Sequence, residues 1–263
     1  MWDQTFDVEG VSVHQAGEGP SLVLLHANGG DANDFASIVE HLARTHRVFG
    51  IDWPGWGQSQ ANEDLTALGY AALLPQILDQ LPGGPFTLLG NSVGGFAAIR
   101  TAADRPDLVR SLVLVDPGGF TPNWFGTRMA CRLIGSTFFA PWMMRVLPHL
   151  YLHRRTQAVK AILAHAKQLS YNEASVQSFS SIWRSFAVRD HDARVAAAMI
   201  TVPTLLIWGR SDPVLPWVVD GRRARRALPH AEVVRFACGH QAFAEMPEAF
   251  LIELGAFLSR SAR

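Results

Sequence analysis

The chain has 263 residues, and 48% of them are hydrophobic, so it is long enough and apolar enough to fold around a substantial core. Its 23 basic and 23 acidic side chains give a formal net charge of zero, which argues against electrostatic binding to nucleic acid or to an anionic membrane. Two cysteines are too few for a disulfide framework, and no C-x-x-C motif or His/Cys cluster predicts a metal site.

The amino-terminal residues 1–7 lack the basic and then apolar pattern of a signal peptide, so the cytoplasm is the expected location. Two strand-like segments, 5–8 and 11–15, follow and predict an antiparallel hairpin. Six further strand patterns lie at 22–26, 47–51, 86–89, 112–115, 204–208 and 232–236. Helical patterns alternate with them at 32–44, 65–81, 93–103, 217–227 and 247–258.

This alternation of strands and helices predicts the fold class. Segments 22–25 and 112–115 are apolar at every position, as expected of strands that helices cover on both faces. The sequence therefore predicts an α/β protein with an eight-stranded, mostly parallel, doubly wound sheet that opens with the hairpin.

One long segment between the sixth and seventh strands interrupts the alternation. Residues 120–199 carry no strand pattern, only helix-like stretches rich in Trp, Phe, Met and His. A segment of this length is too long for a loop, so it predicts a helical cap domain on a core domain of residues 1–119 and 200–263. Its most apolar part, 133–150, contains Arg145, Pro141 and Pro148 and is therefore a poor membrane span.

The stretch Gly90-Asn91-Ser92-Val93-Gly94 falls where the fifth strand gives way to a helix. Its spacing fits the G-x-S-x-G elbow, in which a strained turn lifts the serine hydroxyl above the sheet. Glycine is needed on either side because a Cβ atom there would collide with the neighbouring strand or helix. The alternative is an Asn-Ser helix cap followed by a glycine packing contact.

Four more motifs accompany this elbow, and they read LLHANGG at 24–30, DWPGWGQS at 52–59, WGRSDP at 208–213 and CGH at 238–240. With them, essentially the whole chain resembles the α/β-hydrolase fold family. That resemblance implies a helical cap after the sixth strand and a catalytic triad in the chain order Ser, Asp or Glu, His. Ser92, Asp212 and His240 occur in this order, each just after a predicted strand.

The chemistry of such a triad explains these residue types. A serine hydroxyl is a weak nucleophile, so His240 would take the proton of Ser92 as it attacks a carbonyl. Asp212 would fix the histidine tautomer and stabilise the imidazolium. Taken singly, His240 could be a core histidine and Asp212 an Asp-Pro turn residue. Asp116, after the sixth strand, competes for the acid role, although the following Pro-Gly-Gly favours a turn.

By the same resemblance, two backbone N–H groups would stabilise the oxyanion, one from Val93 and one from the 26–30 loop, most directly Asn28. The family usually has His-Gly where this chain has His26-Ala27, so the residue that supplies the loop donor stays open. The 52–59 motif lacks the third glycine of a dinucleotide site and carries a proline. The sequence therefore predicts no cofactor.

The aromatic character of the cap favours a hydrophobic acyl or alcohol group over a strongly charged one. The predicted substrate contacts are Trp53, Trp124, Phe139, Trp142 and Met143. The alternative is that the cap side chains form only the cap's own core. The expected partner is a small hydrophobic ester or a related carbonyl compound.

These features together predict a serine hydrolase that cleaves carboxylic esters through an acyl-enzyme. A carbon–carbon hydrolase of the meta-cleavage type is the main alternative, since Asn91 and 117–119 resemble that group, but Gln241 stands where it usually has tryptophan. Lactonase, thioesterase and perhydrolase activities share this machinery. A slow-turnover ligand sensor on the same fold is a different class. Acyl length and oligomeric state, a homodimer included, stay open.

Overall fold

A computed structural model of the chain describes residues 2–61 and 65–261. Its eight strands form one sheet in the order β1-β2-β4-β3-β5-β6-β7-β8. The strands are β1 Gln4–Val8, β2 Val11–Ala16, β3 Ser21–Leu25, β4 Arg47–Ile51, β5 Phe86–Asn91, β6 Val109–Val115, β7 Thr204–Gly209 and β8 Glu232–Phe236. Strand β2 runs antiparallel to both β1 and β4, and the other neighbours are parallel. The predicted fold class is confirmed.

The helices alternate with these strands. They are α1 Ala36–Leu42, α2 Ala67–Gln80, α3 Val93–Asp104, α4 Phe125–Ile134, α5 Ala140–Tyr151, α6 Gln157–Leu169, α7 Glu173–Ser185, α8 Arg194–Met199, α9 Arg222–Ala227, α10 Ala242–Glu245 and α11 Pro247–Ser261. Short 3-10 helices lie at Ala32–Phe35, Pro106–Leu108 and Arg189–His191, and a π-helical turn spans Trp217–Gly221.

The core lies on both faces of the sheet because its central strands have no solvent-facing side. All residues of β3, β5 and β7 are buried. Helices α2 and α3 bury their apolar faces on one side, while α1, α10 and α11 do so on the other. Each fully buried Leu, Ile, Val or Phe contributes about 1.5–3 kcal/mol to this packing.

Two predicted helices begin differently from the expected pattern. The segment predicted at 32–44 starts with a 3-10 turn because the Asp31 carboxylate accepts a hydrogen bond from the Asn33 N–H at 2.8 Å. The segment predicted at 217–227 starts with the π turn, in which the Trp217 indole lies over Gly221. A Cβ atom on Gly221 would come within 2.1 Å of that ring.

Helices α4 to α8 lie between β6 and β7, within the segment 120–199, which we call the cap segment. Helix α4 packs against α7, and α5 packs against both α6 and α7. The part of this segment that the structure describes contains no strand, and its division into a separate domain stays a prediction. Within residues 2–61 and 65–261, none of the helices combines the length and the apolarity needed to cross a membrane.

Candidate active site

Ser92 occupies the sharp turn between β5 and α3. Its backbone angles are φ 53° and ψ −113°, a region that non-glycine residues rarely adopt. The turn is held by the Ser92 N–H, which donates to the Val115 carbonyl at 3.2 Å, and by the Gly118 N–H, which donates to the Ser92 carbonyl at 2.8 Å. Strain of this kind persists only where the surroundings enforce it, and it marks functional sites.

The glycines that flank Ser92 are required by close backbone contacts. A Cβ atom on Gly90 would lie 2.5 Å from the Gly94 carbonyl oxygen. A Cβ atom on Gly94 would lie 2.2 Å from the Leu25 carbonyl oxygen. Only a residue without a side chain fits either position, which is the physical reason given for the elbow spacing.

His240 and Asp212 meet on the loops that follow β8 and β7. The His240 Nδ1–H donates to Asp212 Oδ2 at 2.6 Å, and both side chains are buried. The other carboxylate oxygen accepts from the N–H groups of Val214 at 2.8 Å and Leu215 at 3.2 Å. Because Nδ1 carries the proton toward the carboxylate, Nε2 is left as the basic nitrogen.

Burial alone would raise the pKa of Asp212. Interaction with His240 and the two N–H donors of residues 214 and 215 outweighs burial and holds the pKa of this carboxyl below its usual range. Asp212 is therefore charged at neutral pH.

Ser92 and His240 line the same cavity. Among the described residues, the Ser92 hydroxyl forms no hydrogen bond with His240. Contacts of this kind are often loose in a ligand-free site and tighten when substrate binds. Ser92 and His240 therefore remain the predicted nucleophile and base of this cavity.

Asp116 lies beside Asp212. It adopts a positive φ of 42°, is fully buried, and accepts from the Gly209 N–H through both carboxylate oxygens at 3.0 and 3.2 Å. Oxygens of the two carboxyls and a ring nitrogen of His240 lie within 4.8 Å of one another. Burial, then the charge of Asp212, raises the pKa of Asp116 well above its usual range. Asp116 therefore favours its protonated form more than an ordinary aspartate does, and the described hydrogen bond of His240 goes to Asp212.

The Asp116→Asn variant should gain stability relative to wild type as pH rises. The folded-state pKa of Asp116 is raised, so its favourable contribution is complete below the unfolded pKa of about 3.9 and is lost as pH climbs toward the folded pKa. Asparagine resembles the protonated acid and does not titrate. Urea unfolding near pH 4 and near neutral pH measures the difference, and a gain that is equal at both pH values would contradict the assignment.

The two residues predicted to supply oxyanion donors, Val93 and Asn28, both lie at the cavity. Val93 begins α3, and Asn28 lies on the loop after β3; both line the cavity. Within the described part of the chain, neither backbone N–H donates a hydrogen bond. The first N–H groups of a helix lack intrahelical partners and carry a partial positive charge. The Asn28 side chain donates to the Phe179 carbonyl at 3.2 Å and so ties this loop to α7.

His26 supports the loop that carries Asn28. Its Nδ1 bonds the Ala27 carbonyl at 2.7 Å, while Nε2 accepts from the Trp53 N–H at 3.0 Å. Burial lowers the pKa of His26, so the ring is neutral. The Trp53 indole N–H returns a hydrogen bond to the His26 carbonyl at 3.1 Å, and its ring stacks on Tyr70 at 4.8 Å.

The cavity above Ser92 has a volume of about 440 Å³, the size of a small-molecule site. Its apolar wall comes from the cap segment. The main contributors are Met144, Leu147, Phe179, Ile182, Trp183 and Phe186. Asp192 is the one Asp, Glu, Lys or Arg among the described lining side chains.

The five predicted substrate contacts lie outside this lining, so the cavity wall differs from the predicted one. Trp53 is fully buried in the core against Tyr70. Trp124, Phe139 and Trp142 face outward, with 68%, 42% and 55% of their surface exposed. Met143 packs against the hydrophobic core, and its neighbour in sequence, Met144, lines the cavity.

Two sets of hydrogen bonds join the cap segment to the His240 loop. The His240 N–H donates to the Tyr151 carbonyl at 2.9 Å. The buried Glu245 accepts from the Gly239 N–H at 2.8 Å through one oxygen, and from the N–H groups of His153 at 2.8 Å and Arg154 at 3.0 Å through the other. Sequence reasoning missed Glu245, because a lone glutamate after the histidine motif carries no local signal.

A second acidic group lies near the Asn28 loop. Asp31, Asp34 and His165 are close enough to share a metal ion, and His165 Nε2 lies 3.7 Å from an Asp31 oxygen. Burial, with the charges of Asp31 and Asp52, raises the pKa of Asp34 well above its usual range. A raised pKa disfavours the deprotonated carboxylate that a metal ligand requires, so Asp34 is a weak candidate ligand.

Comparison with known proteins gives matches to hydrolases over most of the chain. A model of the alpha/beta hydrolase fold family matches residues 20–247. A 2-hydroxy-6-oxononadienedioate/2-hydroxy-6-oxononatrienedioate hydrolase of Cupriavidus pinatubonensis is 30% identical over 88% of this chain and 83% of its own. A pimeloyl-[acyl-carrier protein] methyl ester esterase of Nitrosomonas europaea is 28% identical over 92% of this chain and 96% of its own.

Among solved structures, an esterase from Exiguobacterium antarcticum superimposes with a TM-score of 0.81. The match covers 95% of each chain at 23% sequence identity. Identity at this level speaks for the fold alone.

Proposed function

The chain belongs to the alpha/beta hydrolase fold family, and on this premise we propose that it cleaves carboxylic esters of a hydrophobic substrate through an acyl-enzyme. One observation carries the proposal. Ser92 and His240 line one cavity, and the Nδ1–H group of His240 donates a hydrogen bond to the charged Asp212. This arrangement allows His240 Nε2 to act as a base toward Ser92.

In the proposed reaction, the Ser92 hydroxyl oxygen attacks the ester carbonyl carbon while His240 Nε2 takes the proton. The carbonyl oxygen becomes an oxyanion, which the Val93 and Asn28 N–H groups stabilise. Collapse of this intermediate breaks the bond to the alcohol, which leaves with the proton from His240. A water molecule then attacks the acyl-enzyme carbonyl carbon while His240 takes one of its protons. The carboxylic acid is released as that proton passes to the Ser92 oxygen. The chain needs no cofactor for these steps.

The cavity wall supports a hydrophobic, uncharged substrate. Six apolar cap side chains face the site, and no Lys or Arg occurs among the described lining side chains. A carboxylate on the substrate would meet Asp192 and no described cation. Because an unpaired charge is costly to bury, an uncharged ester is favoured.

A carbon–carbon hydrolase is the second candidate, supported by the relative from Cupriavidus pinatubonensis. Two features weigh against it. That relative's name denotes a dicarboxylate, for which the described lining offers no cation. Gln241, whose buried side-chain oxygen has no partner within the described residues, stands where the meta-cleavage group usually has tryptophan.

A substrate panel tests the two candidates together. We expect the protein to hydrolyse p-nitrophenyl esters, with turnover abolished in the Ser92→Ala variant, and to act poorly on a dienone ring-cleavage product. Faster turnover of the dienone than of every ester would replace the proposed function with the second candidate. Thioesters and lactones in the same panel measure related acyl transfers, and a turnover of a few per hour or less on all substrates would indicate a ligand sensor.

Trp183→Ala should shift the acyl-length preference toward longer chains, because removing the indole lengthens the apolar cavity. Each additional buried CH₂ can contribute about 0.8 kcal/mol, which corresponds to roughly a four-fold increase in kcat/KM. Trp142→Ala is the matched control, since that indole is 55% exposed and lies outside the lining. Equal shifts in both variants, measured with p-nitrophenyl esters of increasing length, would show that Trp183 does not select the substrate.

A further inference from the structure

His191 is a buried histidine in the cavity wall that the proposed reaction does not use. It lies at the end of the 3-10 helix Arg189–His191 and is only 5% exposed. Within the described structure, neither of its ring nitrogens has a hydrogen-bond partner. A buried polar group without a partner is costly, so two such atoms on one side chain need an explanation.

Two aromatic side chains hold the His191 ring in place but offer its nitrogens no hydrogen bond. The ring stacks on Phe96 at a centroid distance of 5.5 Å and an interplanar angle of 24°, and it contacts Phe186 at 5.1 Å. Both neighbours are hydrocarbon faces, which offer no hydrogen bond in the ring plane. The imidazole is therefore oriented by packing and its polar edge is left for another group.

The chain after His191 is connected to the Ser92 turn through residues 118 and 119. The Ala193 N–H donates to the Gly119 carbonyl at 2.8 Å, and the Gly118 N–H donates to the Ser92 carbonyl at 2.8 Å. A Cβ atom on Gly118 would lie 3.2 Å from Phe186 and 3.4 Å from the Ser92 carbonyl oxygen. The loop that seats His191 is thus bonded to the turn that carries Ser92.

A second polar atom without a partner among the described residues belongs to Asn123, which is bonded to the chain three residues before His191. The Asn123 side-chain amide donates to the Val188 carbonyl at 2.7 Å, while its buried oxygen has no partner among the described residues. Asn123 and His191 both line the cavity. They offer a hydrogen-bond acceptor and an imidazole in a wall that is otherwise mostly apolar.

The charge at this place is also defined. Burial lowers the pKa of His191 to about 4, so the ring is neutral at physiological pH and has one N–H donor and one acceptor nitrogen. Asp192, next in sequence, is paired with Arg194 at 2.6 Å and lies 3.9 Å from Arg223. A neutral donor and acceptor beside a compensated carboxylate suits an uncharged polar group.

We propose that His191, together with Asn123, forms a polar subsite that binds a hydroxyl or carbonyl group of the substrate, in addition to the ester that reacts at Ser92. This inference rests on the proposed function and narrows its substrate class. The substrate is an uncharged ester that carries a second oxygen function, such as a hydroxy ester or keto ester. A plain alkyl ester leaves the two ring nitrogens unpaired.

Binding to the Ser92→Ala variant tests the subsite without relying on turnover. Isothermal titration compares ethyl hexanoate with its hydroxy and keto derivatives, substituted at successive positions of the acyl chain or on the alcohol. At one position or more, His191→Phe in this background should weaken binding of the oxygenated ester by about ten-fold relative to the alkyl ester, the size of a lost neutral hydrogen bond. His191→Asn, which keeps polar atoms, should retain part of the preference and guards against misfolding of the phenylalanine variant.

Leu147→Ala is the matched control, because Leu147 lines the cavity and has no polar side-chain atom, while the ring neighbours of His191 are Phe96 and Phe186. It should change the affinities for both kinds of ester by the same factor. If no substituted position shows a preference that His191→Phe removes, His191 is a packing residue and the subsite is overturned. Failure of the proposed function gives a different result, since wild-type protein would then bind these esters without hydrolysing them.

Discussion

Replacing Ser92 with alanine is expected to lower ester turnover by about three to six orders of magnitude. The change removes only the side-chain hydroxyl group, and without it water must attack the carbonyl directly. The remaining oxyanion donors and the binding cavity still give some acceleration over the uncatalysed reaction. Alanine meets the same positive φ of 53° as serine, so the fold and its stability should change little.

Ser180→Ala provides the matched control for that measurement. Ser180 is a fully buried serine of α7 that lies outside the cavity lining. Its replacement should leave kcat within about two-fold of wild type, as expected of a change remote from the reacting atoms. Near-normal turnover in a correctly folded Ser92→Ala variant would overturn the proposed mechanism.

Replacing Asp212 with asparagine is expected to lower kcat by about four orders of magnitude. An amide group at this position can donate to His240 Nδ1, which would place the ring proton on Nε2 and remove the base. It would also remove the negative charge that stabilises the imidazolium. The lowered pKa of Asp212 keeps this carboxylate charged, and the charge strengthens the 2.6 Å hydrogen bond to His240.

Asp116→Asn should cost far less, on the order of ten-fold or below, because the described hydrogen bond of His240 goes to Asp212 and asparagine is close in shape to the protonated acid that the raised pKa of Asp116 favours. Each variant replaces one carboxyl group with an amide of the same shape, and the two carboxyl groups are neighbours. Steady-state kcat for both, with circular dichroism to confirm folding, decides the assignment. A larger loss in Asp116→Asn than in Asp212→Asn would move the acid to the end of β6.

The sheet and the elbow were predictable because their signals are local. Strands covered on both faces must be apolar at every position, and β3 shows this in five consecutive residues. The tight turn at Ser92 requires glycines at fixed offsets, which a sequence shows directly. The order of the triad residues followed from a family resemblance, and the hydrogen bond between His240 and Asp212 agrees with it.

The substrate contacts could not be predicted in the same way. Aromatic residues in the cap segment mark apolar surface, but which face of a helix meets the cavity depends on how that helix is rotated against the rest of the fold. In α5, Met144 faces the cavity, whereas Trp142 is more than half exposed. Composition identified the segment and could not distinguish these two neighbours.

Other features depend on contacts between distant parts of the chain. Asp116 meets the N–H of Gly209, and Glu245 meets the N–H groups of residues 153 and 154. The sequence places His191 between Asp190 and Asp192, but only the fold shows that its ring lies in the cavity wall with no hydrogen-bond partner among the described residues. No local pattern encodes such pairings.

The hydrogen bonds of Glu245 connect the cap segment to the loop of the proposed base. If the chain near His153 separated from the sheet, the Glu245 carboxylate would lose two of its three backbone donors, and the Tyr151 carbonyl would leave the His240 N–H. The serine would stay in place, since its turn is anchored to β6 and to Gly118. Local opening of the cap would therefore disarm the base while the nucleophile remained intact, and an enzyme admitting or releasing substrate through such an opening would be protected from attacking its ligand prematurely.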